Sequence, residues 1–400
     1  MLSPASLLVA YAVLFDLLDR YDWGQAFVKF ACLAALLCLI ILVRVSPVGI
    51  SPAPPSSPRL HAAWVVMLAI LTLLLFNRAM LLALENFGEG PRVDIGEMTR
   101  DSIRSLLSEG INPYSSRTLN TPRGTPEYWG YKYGPMMLIG YLPSGFADKT
   151  GIQTCNFLYL VGTLALIASL ASGPRPGGRD GEAPLFCVCL ALLPSRVGYE
   201  LFHQGVIDPF PAILLLGSVA SIRGRGWTIA GLLVGLSLSA KFAPAIFFVI
   251  LMVRRDFRPT FFFGVLLGMV PLIPFALWDG PGLARNYFIF HLLGPKGFDS
   301  TSLYSIVPRA LHPIFPATQA LATLLVVAGN FNRGVDHIDL VFNYLALSLI
   351  FEITYVEVHE NHLLWIIPFA SLYLGWRRHG LTDALAGAIS AVVPGPKPRG

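Results

Sequence analysis

The chain has 400 residues, 54% of them hydrophobic and 13% charged, with a formal net charge of +5 and a mean hydropathy of +0.61. A soluble globule carries about 25% charged residues, so this composition excludes one and defines an integral membrane protein. The basic residues stand in small groups between apolar runs, which is a topology signal and excludes a nucleic-acid-binding stripe.

Several apolar runs approach the roughly 20 residues that span a hydrocarbon core, and they are continuous rather than alternating. The expected fold class is therefore all-α, a polytopic transmembrane helical bundle rather than a barrel. Residues 2–18 are apolar apart from Asp16 and lack a positive n-region, which points to an uncleaved first helix; whether they cross the membrane stays open. Residues 26–44 read as a spanning helix ending at Arg44. A Pro/Ser linker over 46–58 follows and closes an N-terminal section of residues 1–60.

Residues 61–84 span again and open the main membrane domain, expected over 61–378 and followed by a cytoplasmic tail, 379–400, expected to be disordered. A long polar loop, 85–135, carries a short amphipathic helix. The piece 136–147, broken by Pro143, is too short to cross and is expected to dip into the membrane or lie on it. Residues 152–171, 183–199 and 209–222 cross in turn. Residues 227–240 and 242–253 are each about half to two-thirds of a span. They join at Lys241-Phe242-Ala243-Pro244 and carry Arg-rich turns at both outer ends, the pattern of a re-entrant helical hairpin. Residues 259–278 cross outward to a polar, aromatic loop over 278–304. A Pro-punctuated return ends near Gly329, and 338–354 and 363–376 complete roughly 10–12 membrane segments, some of them re-entrant.

Lys and Arg support this arrangement. Arg44, Arg59, Arg175, Arg179, Arg223, Arg225, Arg254, Arg255 and Arg258 fall in turns on one side, while the short turns around His203 and His359 hold none. By the positive-inside rule the first side is cytoplasmic. Asp94, Tyr114, Lys132, His203, Asp208, the 279–304 loop and His359-Glu360-Asn361-His362 then converge on the external face.

Each of these residues has a structural reading beside the functional one. Asp94 opens an amphipathic run closed by Gly110, and spacing alone favours a helix N-cap with Glu97 completing a capping box. Tyr114, Tyr131 and Tyr133 suit interfacial anchoring or a sugar platform. Lys132 is a snorkelling anchor or a phosphate contact. Lys241, at bilayer depth, costs at least ~2.5 kcal/mol unless it meets water or an anion; it is either functional or paired with a carboxylate such as Asp208 or Glu352. His359-Glu360-Asn361-His362 lacks the i, i+4 histidine spacing of a zincin helix and fits hydrogen bonding to a phosphate or sugar better than zinc. The five cysteines read as packing residues.

The ordered set of Asp94, Gly110-Ile111-Asn112-Pro113-Tyr114 and Tyr131-Lys132-Tyr133-Gly134-Pro135 resembles the first external loop of glycosyltransferases of the C-type fold (GT-C). Nearest in look are the bacterial polyprenol-phosphate-mannose-dependent alpha-mannosyltransferases. Gly205-Val206-Ile207-Asp208, the Ala230 to Leu236 run leading to Lys241 and Pro244, and His359-Glu360-Asn361-His362-Leu363-Leu364 match the same pattern. Gly134 departs from it, standing where the family usually has proline, and the first 60 residues have no counterpart.

The resemblance implies an inverting transfer of a sugar, mannose, from a polyprenyl-phosphate donor to a lipid or glycan acceptor. It takes place at the external face of a bacterial plasma membrane, with Asp94 as general base. Tyr114, Tyr131, Lys132, Tyr133, His203, Asp208, Lys241, His359, Glu360 and His362 would bind substrate. Membrane lipids are the remaining partners and nucleic acid is not one. No metal site or cofactor is expected, although Asp208 and Glu360 leave a divalent metal open. Two alternatives stand beside this reading: another lipid-linked sugar, such as an arabinofuranose or an aminosugar, or a transporter or flippase for a lipid-linked solute.

Overall fold

The computed structural model describes residues 8, 11–13, 26–45, 58–86, 90–92, 94–115, 130–147, 150–172, 182–242, 245–255, 259–290, 307–354 and 362–376. All regular structure among them is helical. The first half comprises α1 (Ala26–Val45), α2 (Pro58–Asn86), the amphipathic α3 (Asp94–Glu109), short α4 (Pro135–Gly140) and α5 (Pro143–Phe146), and α6 (Gly151–Ala171). Next come α7 (Glu182–Leu192), α8 (Ser195–Gly198) running into a π-helical turn (Tyr199–Gln204), α9 (Pro209–Arg223), α10 (Trp227–Leu238) and α11 (Ala245–Met252). After these are α12 (Pro259–Gly268), α13 (Leu272–Leu283) with a π-helical turn (Ala284–Ile289), α14 (Ile314–Asn330), α15 (His337–Thr354) and α16 (Leu363–Trp376). The expected boundary at residue 60 falls within α2 (Pro58–Asn86); residues 46–57 of the linker, the 379–400 tail and most of 2–18 lie outside the described residues.

Helices α2, α6 and α15 are long and apolar enough to cross a membrane alone, and α12 with α13 and its π-helical turn is so only as a pair, bent by 62° at the break between them. At 1.5 Å per residue, the 21 residues of α6 reach about 30 Å, the thickness of a hydrocarbon core. The outer faces of α2 (Val66, Leu73, Leu74, Leu84) and α14 (Leu321, Leu324, Leu325) are exposed. Such broad apolar surface has no place on a soluble monomer and suits lipid contact.

Contacts at the helix ends fix the direction of the spans. At one end Arg223 donates to the Leu170 carbonyl, as does Trp376 Nε1 at 3.3 Å, and the Trp376 ring meets His337 at 5.1 Å. Arg44 pairs with Asp339 at 2.6 Å, Arg254 donates to the Gly334 carbonyl at 2.7 Å, and the Arg255 N–H donates to the Arg333 carbonyl at 3.0 Å. The chain therefore leaves this basic end at Trp227 and is back at it by Arg254. The pair α10–α11 has the re-entrant course expected of 227–253. Its legs nonetheless diverge: α10 packs on α9 and α12, and α11 on α14 and α15. The divergence follows from glycine. A β-carbon at Gly231 or Gly235 would overlap the carbonyls of Phe261 or Val265, and one at Gly264 or Gly268 those of Thr228 or Leu232. Small residues at this spacing let two membrane helices meet backbone to backbone.

One expectation needs correction. The stretch after Trp278 is not loop from the outset: helical structure runs on to Phe290. Asp279 is non-helical (φ −153°, ψ 79°), and its Oδ1 accepts the Gly282 N–H at 2.9 Å. That local cap restarts the helix, and Pro281 tolerates a first-turn position because its missing donor is not needed there.

Candidate active site

At the end of the bundle opposite the basic contacts, the polar loop is built onto the re-entrant tip. The N–H groups of Gly134 and Met136 donate to the carbonyls of Ala240 (2.9 Å) and Ser239 (3.1 Å). A β-carbon at Gly134 would overlap the Ser239 carbonyl. Proline, the residue usual in the resembling family, would also remove the Gly134 donor. Glycine here is thus a packing requirement of this chain.

Around that dock the tyrosines form an interior framework. Tyr114 Oη donates to the Tyr133 carbonyl at 2.7 Å, and Tyr131 Oη meets Thr99 Oγ1 of α3 at 3.1 Å. The rings of Tyr114, Tyr131 and Tyr133 contact edge to face at 6.0 and 5.7 Å. Asn286 clamps the two strands of the loop, accepting from the Gly130 N–H at 2.8 Å and donating to the Tyr114 carbonyl at 2.6 Å. Tyr287 Oη donates to the Leu238 carbonyl. Tyr114 and Tyr131 are fully buried. Burial raises the pKa of both phenols, an effect the Thr99 bond partly offsets at Tyr131, so both stay protonated donors. Their hydroxyls hold the loop in place.

Asp208 and Lys241 form a buried ion pair. The same Asp208 oxygen accepts Trp365 Nε1–H from α16 at 2.6 Å. The Lys241 ammonium lies 5.6 Å from the Tyr133 ring centre and 5.8 Å from that of Trp365. Of the two expectations for Lys241, pairing with Asp208 is realised. Glu352 faces His362 instead, with Oε2 and Nδ1 3.3 Å apart. The pair is recessed. Asn156 donates to the carbonyls of Leu201 and Val206, both at 2.8 Å, which ties the turn leading into Asp208 to a level roughly 7 Å of helix rise inside the start of α6. Lys132 lies over the Phe290 ring at 4.7 Å.

Asp94 is the first residue of α3; its side chain lies outside the described residues, as do His359 and Glu360. Its neighbours are well defined. The Arg92 N–H donates to the Gln204 carbonyl at 3.0 Å, Arg92 Nη1 meets His203 Nε2 at 3.2 Å, and His203 Nδ1 meets Asn86 Oδ1 at 2.8 Å. Among the described residues no group of three His, Cys, Asp or Glu side chains is placed to hold a metal ion.

Sequence reasoning passes over Thr99, Asn156, Asn286 and Trp365, which orient the loop and the pair. Each is a single polar or aromatic residue in a helix, without a motif. The available signal is the cost of an unpaired amide or hydroxyl in an apolar setting, which makes each such residue a candidate for a specific partner.

The described residues thus define a helical membrane protein with a polar constellation gathered at one end. The sequence profile of glycosyltransferase family 87 matches residues 131–352, more than half of the 400 residues, and the protein belongs to that family of glycosyltransferases. A comparison with curated individual proteins gives no match. The matched stretch contains the loop dock, Asp208, Lys241 and Glu352; Asp94, Tyr114 and His362 stand outside it.

Proposed function

We propose that the protein transfers a sugar, mannose, from a polyprenyl-phosphate donor to a lipid or glycan acceptor with inversion, and that Asp94 is the general base. One observation carries this reading. The helix that begins at Asp94 packs its Gly96 against the Gly205 carbonyl, three residues before Asp208, and through Asp208 it adjoins Lys241 and Trp365. Groups far apart in sequence share one end of the bundle with the carboxylate.

In this reading the acceptor oxygen bonds to the anomeric carbon and its proton passes to Asp94. The carbon–oxygen bond to the phosphate breaks, and the phosphate leaves with the electron pair. General-base assistance of this kind contributes about 10²–10⁴-fold. Lys132, His359 and His362 would meet the departing charge, which oriented cations stabilise as it develops. Lys241 would act beside Asp208, as part of a neutral pair. The basic end would face the cytoplasm by the positive-inside rule, so that the site opens on the external side of a bacterial plasma membrane. Membership of a glycosyltransferase family supports transfer over transport.

The test incubates membranes carrying wild type or Asp94→Asn with radiolabelled polyprenyl-phosphate mannose. Transfer by wild type and its loss in the variant is the expected result, because Asn keeps the capping capacity but not the base. Unchanged transfer by the variant sinks the catalytic role. Transfer only from an arabinofuranose or aminosugar donor changes the sugar, and absence of any transfer with intact solute flux in vesicles favours transport.

A further inference from the structure

We infer that His203 is a positioning residue that fixes the start of α3, and with it Asp94, rather than a ligand of sugar or phosphate. The inference rests on the reading of Asp94 as the base. It begins with the hydrogen-bond chemistry of the ring. Arginine has no acceptor, so in the contact with Arg92 the His203 Nε2 accepts. The proton therefore sits on Nδ1 and is donated to Asn86 Oδ1, at the end of α2. Both ring nitrogens face protein partners, and one face of the ring stacks on Tyr199 at 4.6 Å and 28°.

The backbone around the ring brackets Asp94 from both sides. Before it, the Arg92 N–H donates to the Gln204 carbonyl. Gly205, at φ +72°, lies so close to Pro91 that a β-carbon would overlap it. After it, Gly96 lies on the Gly205 carbonyl, where a β-carbon would also overlap. The bracket is itself anchored, since Asn156 of α6 donates to the carbonyls of Leu201 and Val206 on either side of His203. A left-handed residue is cheap only as glycine, so Gly205 allows the chain to turn from the π-helical segment toward Asp208 while presenting its carbonyl to α3. The segment 203–208 thus holds the base-bearing helix at one end and Lys241 at the other.

The experiment measures kcat and donor KM for polyprenyl-phosphate mannose in His203→Ala, His203→Gln and Gly96→Ala, beside Asp94→Asn. A displacement of the base by about 1 Å costs roughly 10²-fold. His203→Ala and Gly96→Ala are therefore expected to lower kcat by that order with donor KM unchanged. His203→Gln keeps one donor and one acceptor and is expected to restore most of the loss, which also separates misplacement from misfolding. If Asp94→Asn abolishes transfer while His203→Ala raises KM and keeps kcat, His203 is a substrate ligand and the inference falls with the base intact. If Gly96→Ala leaves kcat unchanged and His203→Gln behaves like His203→Ala, the bracket positions nothing. Retained transfer in Asp94→Asn removes the base, and this inference with it.

Discussion

Removing one partner of the Asp208–Lys241 pair should destabilise the protein by an amount that depends on which partner goes. Asp208 is fully buried, whereas the Lys241 side chain keeps 12% of its surface exposed and lies over two rings. In Lys241→Met the carboxylate keeps the Trp365 donor but loses its counter-charge. Breaking a buried pair in this way costs about 3–5 kcal/mol. In Asp208→Asn the amide oxygen still accepts from Lys241 and Trp365, and the ammonium keeps its two aromatic faces, each worth about 0.5–2 kcal/mol. The loss there is that of a charge-assisted bond, about 1.5–3 kcal/mol. The double variant leaves no buried charge at the site, and it should cost less than the sum of the singles, with a coupling of about 1–3 kcal/mol. Unfolding titrations of the purified protein in mixed detergent micelles give all four stabilities. Equal costs for the two singles would refute the asymmetry, and strict additivity would refute the pairing.

Two further outcomes concern the loop dock. Gly134→Ala forces a β-carbon onto the Ser239 carbonyl and should cost about 1–3 kcal/mol, the range for overpacking. It should also accelerate hydrogen exchange at the Gly134 and Met136 amides, which donate to the tip, and unchanged protection there would argue against the dock. Asn286→Ala removes both clamp bonds and leaves two buried backbone groups unpaired, about 1–3 kcal/mol each. Hydrogen exchange at the Gly130 amide should accelerate, and full protection there would show that the clamp is dispensable.

The spans were legible because lipid imposes a simple rule: a continuous apolar run of sufficient length has to become a helix. The re-entrant course of 227–253 was legible from its two Arg-bearing ends, and the short piece after Pro135 from its length and Pro143. The π-helical turns at Tyr199–Gln204 and Ala284–Ile289 were not. In the first, the Leu201 carbonyl accepts from the distant Asn156; in the second, the side chains of Asn286 and Tyr287 bond the distant carbonyls of Tyr114 and Leu238, and periodicity within a segment carries no trace of such partners. The same holds for the pair. Lys241 stands out in the sequence as a costly charge with Asp208 or Glu352 as candidate partner, but that Asp208 rather than Glu352 meets the lysine depends on how α9, α10 and α16 come together. The aromatic residues are ambiguous for a related reason. Tyrosine at a membrane boundary looks alike from sequence whether its ring faces a ligand or its hydroxyl closes a backbone carbonyl.

The dock itself has a consequence for the chemistry. The loop meets the tip through main-chain groups of Gly134, Met136, Ser239 and Ala240, and the next residue along the tip is Lys241. A shift of the loop therefore moves the Tyr133 ring relative to the ammonium it shields. Cation–aromatic attraction grows as water is excluded, and so does the attraction between the ammonium and Asp208. The dock thus holds in place the ring that shields the ion pair. The same loop reaches α3 through Tyr131 and Thr99, so the helix that begins at Asp94 is tied to the dock by a second route, independent of the His203 bracket.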